Sequence, residues 1–173
     1  RLAEEQRQAE RATRRMSDMF AALSATNTAI LRARGIDEMF RLVCDSVAKG
    51  GPSLGSAAIF LKEDGSAWLK PAAVAGGLAD VSEKLPLSVD PKHRHGHGLH
   101  GPAFRDQTLH ISYDVLSDPR TAPWISPGLA PHGCAAVPLI KNGESVGVMC
   151  FFFARTSGRE DPGIKQLMMD IAE

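Results

Sequence analysis

The sequence has few cysteines, a single tyrosine, two tryptophans and no excess of charge of either sign. Its three cysteines, Cys44, Cys134 and Cys150, lie far apart, which argues against a disulfide framework and is typical of a reducing compartment. Basic and acidic residues number 20 each, so the basic excess of a typical nucleic-acid-binding protein is missing. We therefore expect a cytoplasmic chain with no nucleic-acid partner.

Membrane, secretory and common catalytic signals are also missing. The longest apolar run, about nine residues within 146–154, is too short to cross a bilayer, and no secretory signal is present. The chain contains no G-x-S-x-G elbow, no phosphate loop and no H-E-x-x-H pattern. We expect no membrane contact and no catalysis by this fragment. Because the chain begins with Arg1 and stops inside a predicted helix, we expect it to be a piece of a longer protein.

Glycine and proline are absent from residues 2–34, which are predicted to form one long helix that ends at Gly35. Its apolar residues recur in steps of three and four, a spacing typical of a coiled-coil seam. The seam comprises Ala9, Ala12, Met16, Met19, Leu23, Thr26 and Ile30. We expect a homodimer through this helix, with Met16, Met19, Leu23 and Ile30 in the contact. The alternative is a helix that packs along its own domain.

The rest of the chain alternates short helical and extended patterns. Asp37 is predicted to cap a second helix, and a short helix is expected within 101–106. Predicted strands cover 56–62, 67–75, 108–112, 134–140 and 144–154. Pro71 indicates an edge or a bulge in the second strand, and Asn142-Gly143 predicts a hairpin. A final helix begins at Pro162, and strands grouped between terminal helices predict an α+β fold.

Histidine is concentrated in one irregular segment, where His93, His95, His97 and His100 lie within eight residues. Imidazole binds zinc, copper and nickel, and haem iron needs only one or two such ligands. The spacing matches no structural zinc motif, however, and no cysteine pair completes a tetrahedral set. We therefore expect a mobile, solvated loop; the cofactor is unknown and none is required. A metal or haem at His93, His95 and His97 remains the alternative.

A second group of polar and aromatic residues lies between predicted strands, where a rigid sheet can position side chains around a small-molecule pocket. The predicted ligand-binding residues are His100, Phe104, Tyr113, Asp114, Arg120, Trp124, His132 and Cys134. Several have structural alternatives: Asp118 before Pro119 is typical of a turn, Arg120 could pair with an aspartate, and Trp124 could be a core lid. Cys44 and Cys150 are expected to be buried apolar residues.

Several segments, taken in order, resemble GAF domains of bacterial cyclic di-GMP signalling proteins. The first is the entry segment 22–33 followed by residues 40–43. Gly98-Leu99-His100-Gly101-Pro102-Ala103 is similar to the family's Gly-x-x-Gly-x-Ala segment. The remaining similar segments are Asp114 with Asp118-Pro119-Arg120 and Trp124, then Gly133–Leu139, then Gly143–Cys150. The resemblance covers about residues 20–173, but the histidine segment departs from the family's pattern, so no relative's ligand is carried over.

The resemblance implies a central antiparallel sheet of five to six strands with helices on one face, preceded by the long N-terminal helix. It also implies a pocket on the other face, roofed by the irregular insert. Expected domains are a signalling and dimerisation helix at 1–34, a GAF domain at 35–160, and a helix from 161–173 that leads to an output domain.

The implied function is a sensor that binds a small molecule and controls a covalently attached output domain, such as a diguanylate cyclase or phosphodiesterase. Two alternatives remain open. One is a dimerisation spacer without a ligand. The other is a redox enzyme like the GAF-fold methionine sulfoxide reductases, in which Cys134, the cysteine beside His132, would act.

Overall fold

The structure is a computed structural model that describes residues 1–49, 54–121, 132–153 and 162–173. The helices are α1 (Leu2–Arg32), α2 (Ile36–Lys49), α3 (Ala79–Ser82), α4 (His100–Asp106) and α5 (Pro162–Ala172), with a 3-10 turn at Arg94–Gly96. The strands are β1 (Leu54–Lys62), β2 (Trp68–Gly76), β3 (Leu87–Ser88), β4 (His110–Ser112), β5 (Gly133–Lys141) and β6 (Glu144–Phe153). The sequence also predicts a helix end at Gly50-Gly51-Pro52 and a helical turn near 124–129, and both lie outside the described residues.

The six strands form one antiparallel sheet in the order β3-β2-β1-β6-β5-β4. The β5–β6 hairpin turns at Asn142 and Gly143, whose φ angles of 54° and 81° are those of a type I′ turn. The Asn-Gly pair predicts this turn because both residues tolerate positive φ. The predicted fold class, an α+β sheet with a long N-terminal helix, is confirmed.

Pro71 occupies a bulge, as its lack of an N–H donor predicts. Phe60 of β1 pairs with Pro71, whereas the preceding Ile59 pairs with Ala73. Ala72 is therefore the extra residue on β2, and the register shifts by one at this point.

Each face of the sheet has its own core. Helices α1, α2 and α5 cover the first face, where Val47, Met149 and Met168 are buried. Helix α4 and the irregular segment cover the second face, where Phe60, Leu99 and Val148 are buried. Strand β6 contributes to both cores because successive side chains of a strand point to opposite faces.

Helix α1 combines both interpretations of its sequence. Its C-terminal half packs against α2 and α5 through Ala22, Thr26 and Ala29, which are buried. Thr26 therefore lies against its own domain, and its place in the predicted seam is wrong. Met16 is 71% exposed and Phe20 78% exposed in the half that extends away from the sheet.

The junction between the first two helices differs from its sequence prediction. Helix α1 ends at Arg32, before Gly35, because the cap residue Ala33 is extended at ψ 135°. Helix α2 begins at Ile36, so Asp37 lies in its first turn and is not the N-cap. The carboxylate of Glu38 instead accepts a hydrogen bond of 2.7 Å from the N–H of Arg34, which a helix start leaves without a helical partner.

Helix α4 is attached to the β5–β6 hairpin by polar contacts at its C-terminal end. Gln107 adopts a left-handed conformation there, and its Nε2 donates to the carbonyl of Gly143 at 2.9 Å. Ser145 Oγ donates to the carbonyl of Phe104 at 2.7 Å. These bonds fix the helix that forms one wall of the candidate site.

In the ranges that the structure describes, every helix is too short or too polar to cross a bilayer.

Candidate functional site

A cavity of about 230 Å³ lies on the second face of the sheet, between the strands and the histidine-containing segment. Its apolar wall consists of Leu85, Pro86, Leu87, Leu99 and Phe152. Its polar wall consists of Arg94, His95, His97, His100, Arg120, Thr121 and Cys134. We call this space the second-face cavity. It combines an apolar surface with a few polar groups, as ligand sites do.

The roof of the cavity is the segment 90–98, which is held by specific contacts. Arg105 of α4 donates through Nη1 to the carbonyls of Val89 at 3.0 Å and Gly96 at 2.9 Å. Gly96 is buried, and a Cβ at this position would overlap the carbonyl oxygen of Asp90. The segment therefore contains a hydrogen-bonded 3-10 turn, while Pro91, Lys92, Arg94 and His97 are exposed, as expected of a solvated loop.

The histidine rings of the roof pack in distinct ways. The rings of His93 and His95 are stacked with centroids 5.2 Å apart, and Trp68 lies edge-on to His93 at 5.0 Å. His97 instead places Nε2 2.9 Å from the carbonyl oxygen of Pro91. Among the described residues, no three histidine, cysteine, aspartate or glutamate side chains are arranged to hold a metal ion.

His100 begins helix α4 and lines the second-face cavity. Its ring lies edge-on to the buried ring of Phe60, with centroids 5.9 Å apart. The Nε2 atom is buried and has no hydrogen-bond partner among the described residues. Burial lowers the pKa of His100 to about 4, because an imidazolium is poorly solvated there. The ring is therefore neutral at pH 7.

Arg120 forms a bidentate ion pair with Asp118 beside the cavity. Its Nη2 lies 2.6 Å from Oδ2 of Asp118, and its Nε lies 3.0 Å from Oδ1. The same Nη2 donates to the carbonyl of Ile111 at 2.9 Å, which fixes the guanidinium against strand β4. Hydrogen bonding by Arg120 lowers the pKa of Asp118 to about 2. The sequence alternative of an Arg120–Asp pair is thus confirmed, in a position where Arg120 also lines the cavity.

Replacing Asp118 with asparagine is expected to lower the free energy of unfolding at pH 7 by about 1 kcal/mol, given the partly exposed Arg120. Because the folded-state pKa of Asp118 lies below its ordinary value of 3.8, the stabilisation is complete above that value and is lost as pH falls through about 2. Urea unfolding of both proteins from pH 7 to 3 should show the difference shrinking. Asp64→Asn, in the exposed β1–β2 turn, is the control; an equal loss in both variants would contradict the prediction.

Cys134 lies on β5 and contributes a thiol to the cavity wall. It pairs across the sheet with Phe152, and Cys150 lies on the same face two residues before Phe152. Burial raises the pKa of Cys134 to about 12 and raises that of Cys150 well above its ordinary value. Both groups are therefore neutral thiols at pH 7, as is Cys44 in the opposite core, and all three are buried as expected for Cys44 and Cys150.

The other predicted ligand-binding residues that the structure describes do not line the second-face cavity. Tyr113 packs on Phe153 in the first-face core, with ring centroids 6.1 Å apart. Asp114 accepts a hydrogen bond of 2.9 Å from Ser117 Oγ in a turn, and His132 is exposed. Phe104 packs against the second-face core but lines a separate surface groove beside Val89 and Glu144. Trp124 lies outside the described residues.

Three predicted residues, His100, Arg120 and Cys134, therefore meet at the cavity. The sequence prediction omitted Arg94, Thr121, Phe152 and the leucines of the apolar wall. Arg94 could have been predicted as a cavity residue, since it lies between two histidines in the insert that the family resemblance places over a pocket. Leu85 and Phe152 could not have been predicted, because the sequence pattern of an apolar residue in an extended segment is the same whichever face of the sheet it lies on.

Comparisons with known proteins agree with this architecture. A family model described as "GAF domain" matches residues 33–171. No curated protein matches the chain. A free methionine-R-sulfoxide reductase of Neisseria meningitidis, solved with its substrate, has a TM-score of 0.71 at 16% identity, covering 89% of this chain and 83% of that one.

Two further similar structures are described as GAF domains. One comes from a phosphoenolpyruvate-protein phosphotransferase of Coxiella burnetii, with a TM-score of 0.67, 20% identity, and 90% of each chain covered. The other is the A. aeolicus nlh2 GAF domain in an inactive state, with a TM-score of 0.71, 15% identity, and 90% of this chain and 91% of that one covered. At these identities the likeness concerns the fold alone.

Proposed function

The chain belongs to the GAF domain family, and on that premise we propose that it is a sensor that binds a small molecule in the second-face cavity and controls an attached output domain. The observation that carries this proposal is the cavity itself. It is roofed by a hydrogen-bonded segment and is lined by His100, whose buried Nε2 has no hydrogen-bond partner among the described residues. Because a buried polar atom without a partner is costly, a ligand that hydrogen-bonds to it would stabilise this face of the domain.

Strand β6 supplies a route from the cavity to the helices. Phe152 lines the cavity, whereas its neighbours Phe151 and Phe153 are buried in the first-face core with α2 and α5. A ligand that displaces Phe152 must therefore shift a strand whose other side contacts these helices. Such a ligand changes the output only if it binds two arrangements of the domain with different affinity. The coupling free energy is typically about 1–3 kcal/mol.

The output domain is proposed to make or break down cyclic di-GMP. This part of the proposal is supported by the resemblance of segments 98–103, 114–120 and 133–150 to GAF domains of such proteins. A cyclase or phosphodiesterase assay on the full-length protein, with and without a cavity ligand, is the direct test.

Ligand binding can be tested by thermal denaturation across a metabolite library, since a ligand that binds only the folded chain raises its stability. We expect at least one compound to raise the melting temperature of the wild type. Leu85→Trp, which fills the cavity, should abolish the shift, whereas Leu116→Trp at an exposed position should retain it. If no compound stabilises the wild type, or if Leu85→Trp responds equally, the domain is a spacer without a ligand in this cavity.

We also propose a homodimer formed by α1. The exposed apolar side chains Met16, Phe20 and Leu31 lie within a 60° arc of this helix, and Ile30, 43% exposed, lies about 40° outside it. Leu23 is partly buried against its own core, and the side chain of Met19 lies outside the described residues. A second copy of the helix is the partner whose apolar stripe would match this one.

The redox alternative is favoured by the similar structures of methionine sulfoxide reductases and by the position of Cys134 in the cavity. Its chemistry requires a thiolate, which the raised pKa of Cys134 disfavours. Cys150 is the second thiol on the same face, but its diagonal register implies a Cα separation of about 7–8 Å, beyond the usual disulfide range.

Thiol alkylation distinguishes the sensor from the redox enzyme. We expect all three cysteines of the native chain to react with iodoacetamide at pH 8 at least ~100-fold more slowly than after unfolding, because they are buried and protonated. Mass spectrometry after timed quenching would measure each site. One fast-reacting cysteine, together with methionine sulfoxide reduction lost in Cys134→Ser and retained in Cys44→Ser, would support the enzyme instead.

A further inference from the structure

The residues around the second-face cavity divide into an exposed group that carries charge and a buried group that does not. The two arginines of the described lining, Arg94 and Arg120, are both exposed. The buried members of the lining are uncharged at pH 7: Leu87, Leu99, Thr121, Cys134 and Phe152. The part of the cavity that is removed from water is therefore lined by apolar and neutral polar groups.

The polar groups at the buried lining offer no counterion to a charged ligand. Burial raises the pKa of Cys134 to about 12, so its thiol is neutral. The hydroxyl of Thr121 donates to the carbonyl of Val115 at 2.6 Å, so its proton is already used. Burial lowers the pKa of His100 to about 4, so this ring is neutral as well. A charged group placed among these residues would lose its hydration without gaining an ion pair.

The exposed arginines do not require a charged ligand. Arg120 holds both carboxylate oxygens of Asp118, and this hydrogen bonding lowers the pKa of Asp118 to about 2. The carboxylate is therefore ionised at pH 7 and balances the charge of Arg120, so an anionic ligand would have to compete with it. Arg94 is exposed to water, which can solvate its guanidinium without any ligand.

Aromatic rings and a small volume limit the shape of the ligand. Phe152 and His100 each contribute a ring to the wall, and aromatic rings favour edge-on or offset contact with one another. The cavity measures about 230 Å³ as the described residues form it. An apolar cavity of about 150 Å³ is large enough to bind benzene, whereas sites for drug-sized molecules measure roughly 300–1,000 Å³. A single ring with a small substituent therefore fits the space.

Resting on the sensor function proposed above, we propose that the ligand of this domain is an uncharged molecule built on a single aromatic ring. The ring lies against Phe152, Leu87 and Leu99, beside the thiol of Cys134. A charged analogue of the same shape is disfavoured, because its charge is desolvated without a partner in the described buried lining. A saturated analogue is disfavoured because it lacks the aromatic contacts.

Isothermal titration with four ring compounds of matched size tests this ligand class: benzyl alcohol, cyclohexylmethanol, benzoate and benzylamine. We expect benzyl alcohol to bind at least ~10-fold more tightly than benzoate and benzylamine, because these two bury an unpaired charge. We expect cyclohexylmethanol to bind at least ~3-fold more weakly than benzyl alcohol, because it makes no contact between aromatic rings.

Phe152→Leu keeps an apolar side chain in the wall but removes its aromatic ring. The preference for benzyl alcohol over cyclohexylmethanol should therefore disappear, whereas the preference over benzoate should remain, since the uncharged lining is unchanged. The matched control is Phe151→Leu on the same strand, which is buried in the first-face core and should keep both preferences. The four probes on the wild type decide the ligand class even if Phe152→Leu does not fold.

The outcomes separate this inference from the sensor function. Benzoate or benzylamine binding as tightly as benzyl alcohol overturns the uncharged class. Equal binding of cyclohexylmethanol, or a ring preference that Phe152→Leu retains or that Phe151→Leu also loses, overturns the aromatic assignment. A charged or aliphatic library compound whose stabilisation is lost in Leu85→Trp, with benzyl alcohol unbound, overturns the inference but leaves the sensor function standing. If neither these probes nor any library compound binds, both proposals fail.

Discussion

Replacing Gly96 with alanine is expected to displace the roof of the second-face cavity and to destabilise the domain by about 1–3 kcal/mol, the usual cost of overpacking. The added Cβ would overlap the carbonyl oxygen of Asp90 and lie 2.7 Å from its carbonyl carbon. Both are backbone atoms, so the 3-10 turn has to move. Arg94 and His95 are part of this turn and line the cavity, so the affinity for a compound that binds there should fall at least ~10-fold if one hydrogen bond of about 1.5 kcal/mol is lost.

Gly77→Ala is the matched control for this variant. It introduces the same methyl group in the turn after β2, where no atom lies within 4 Å of the new Cβ. We expect a change in stability of less than about 0.5 kcal/mol there. Chemical unfolding measures the first effect, and titration with a library compound that stabilises the wild type measures the second. If Gly96→Ala unfolds and binds like Gly77→Ala, the close approach of Gly96 to Asp90 does not hold the roof.

The contact between Gly96 and Asp90 shows why the 3-10 turn of the roof was not predicted from the sequence. A run of glycines and histidines has no periodicity, so composition alone favours a solvated loop. The position of this segment is fixed by Arg105 on the next helix, which donates to the carbonyl of Gly96 in the roof and to that of Val89 just before it, and by the fit of Gly96 against Asp90. Such contacts depend on tertiary structure and leave no local pattern.

The sheet was predictable because its signals are local. Asn142-Gly143 defines a turn through its backbone preferences, and the long apolar run before 154 predicts a strand that is buried on both sides. The bulge at Pro71 follows from the missing N–H of proline. These residues determine strand positions without reference to the rest of the chain.

The cavity was only partly predictable because side-chain direction depends on register. Ser112 pairs with Cys134, and Cys134 faces the cavity, so the alternation along β4 places Ile111 and Tyr113 on the opposite face. A prediction that groups neighbouring polar residues on one loop cannot separate these faces. His100, Arg120 and Cys134 meet because the start of α4, the segment after β4 and the start of β5 lie near the same part of the sheet.

Changing both Met16 and Phe20 to glutamate is expected to raise the dimer dissociation constant at least ~100-fold, because an unpaired charge in an apolar contact is costly. The two side chains are 71% and 78% exposed, and they lie four residues apart on one side of α1. The matched control is the double variant Ser17→Glu with Ala21→Glu. It adds the same charges at the same spacing, rotated by about 100° around the helix, also at exposed positions.

Analytical ultracentrifugation over a concentration series would measure the dissociation constants, and circular dichroism would measure helix content. Every residue before Met16 whose side chain the structure describes is exposed, so a partner helix is the expected source of the stability of this segment. Dissociation by the Met16 and Phe20 changes should therefore also lower the helix signal, whereas the control should keep both the dimer and its helicity. If the wild-type chain is monomeric at micromolar concentration and α1 is fully helical, then α1 is stable without a second copy and the prediction is contradicted.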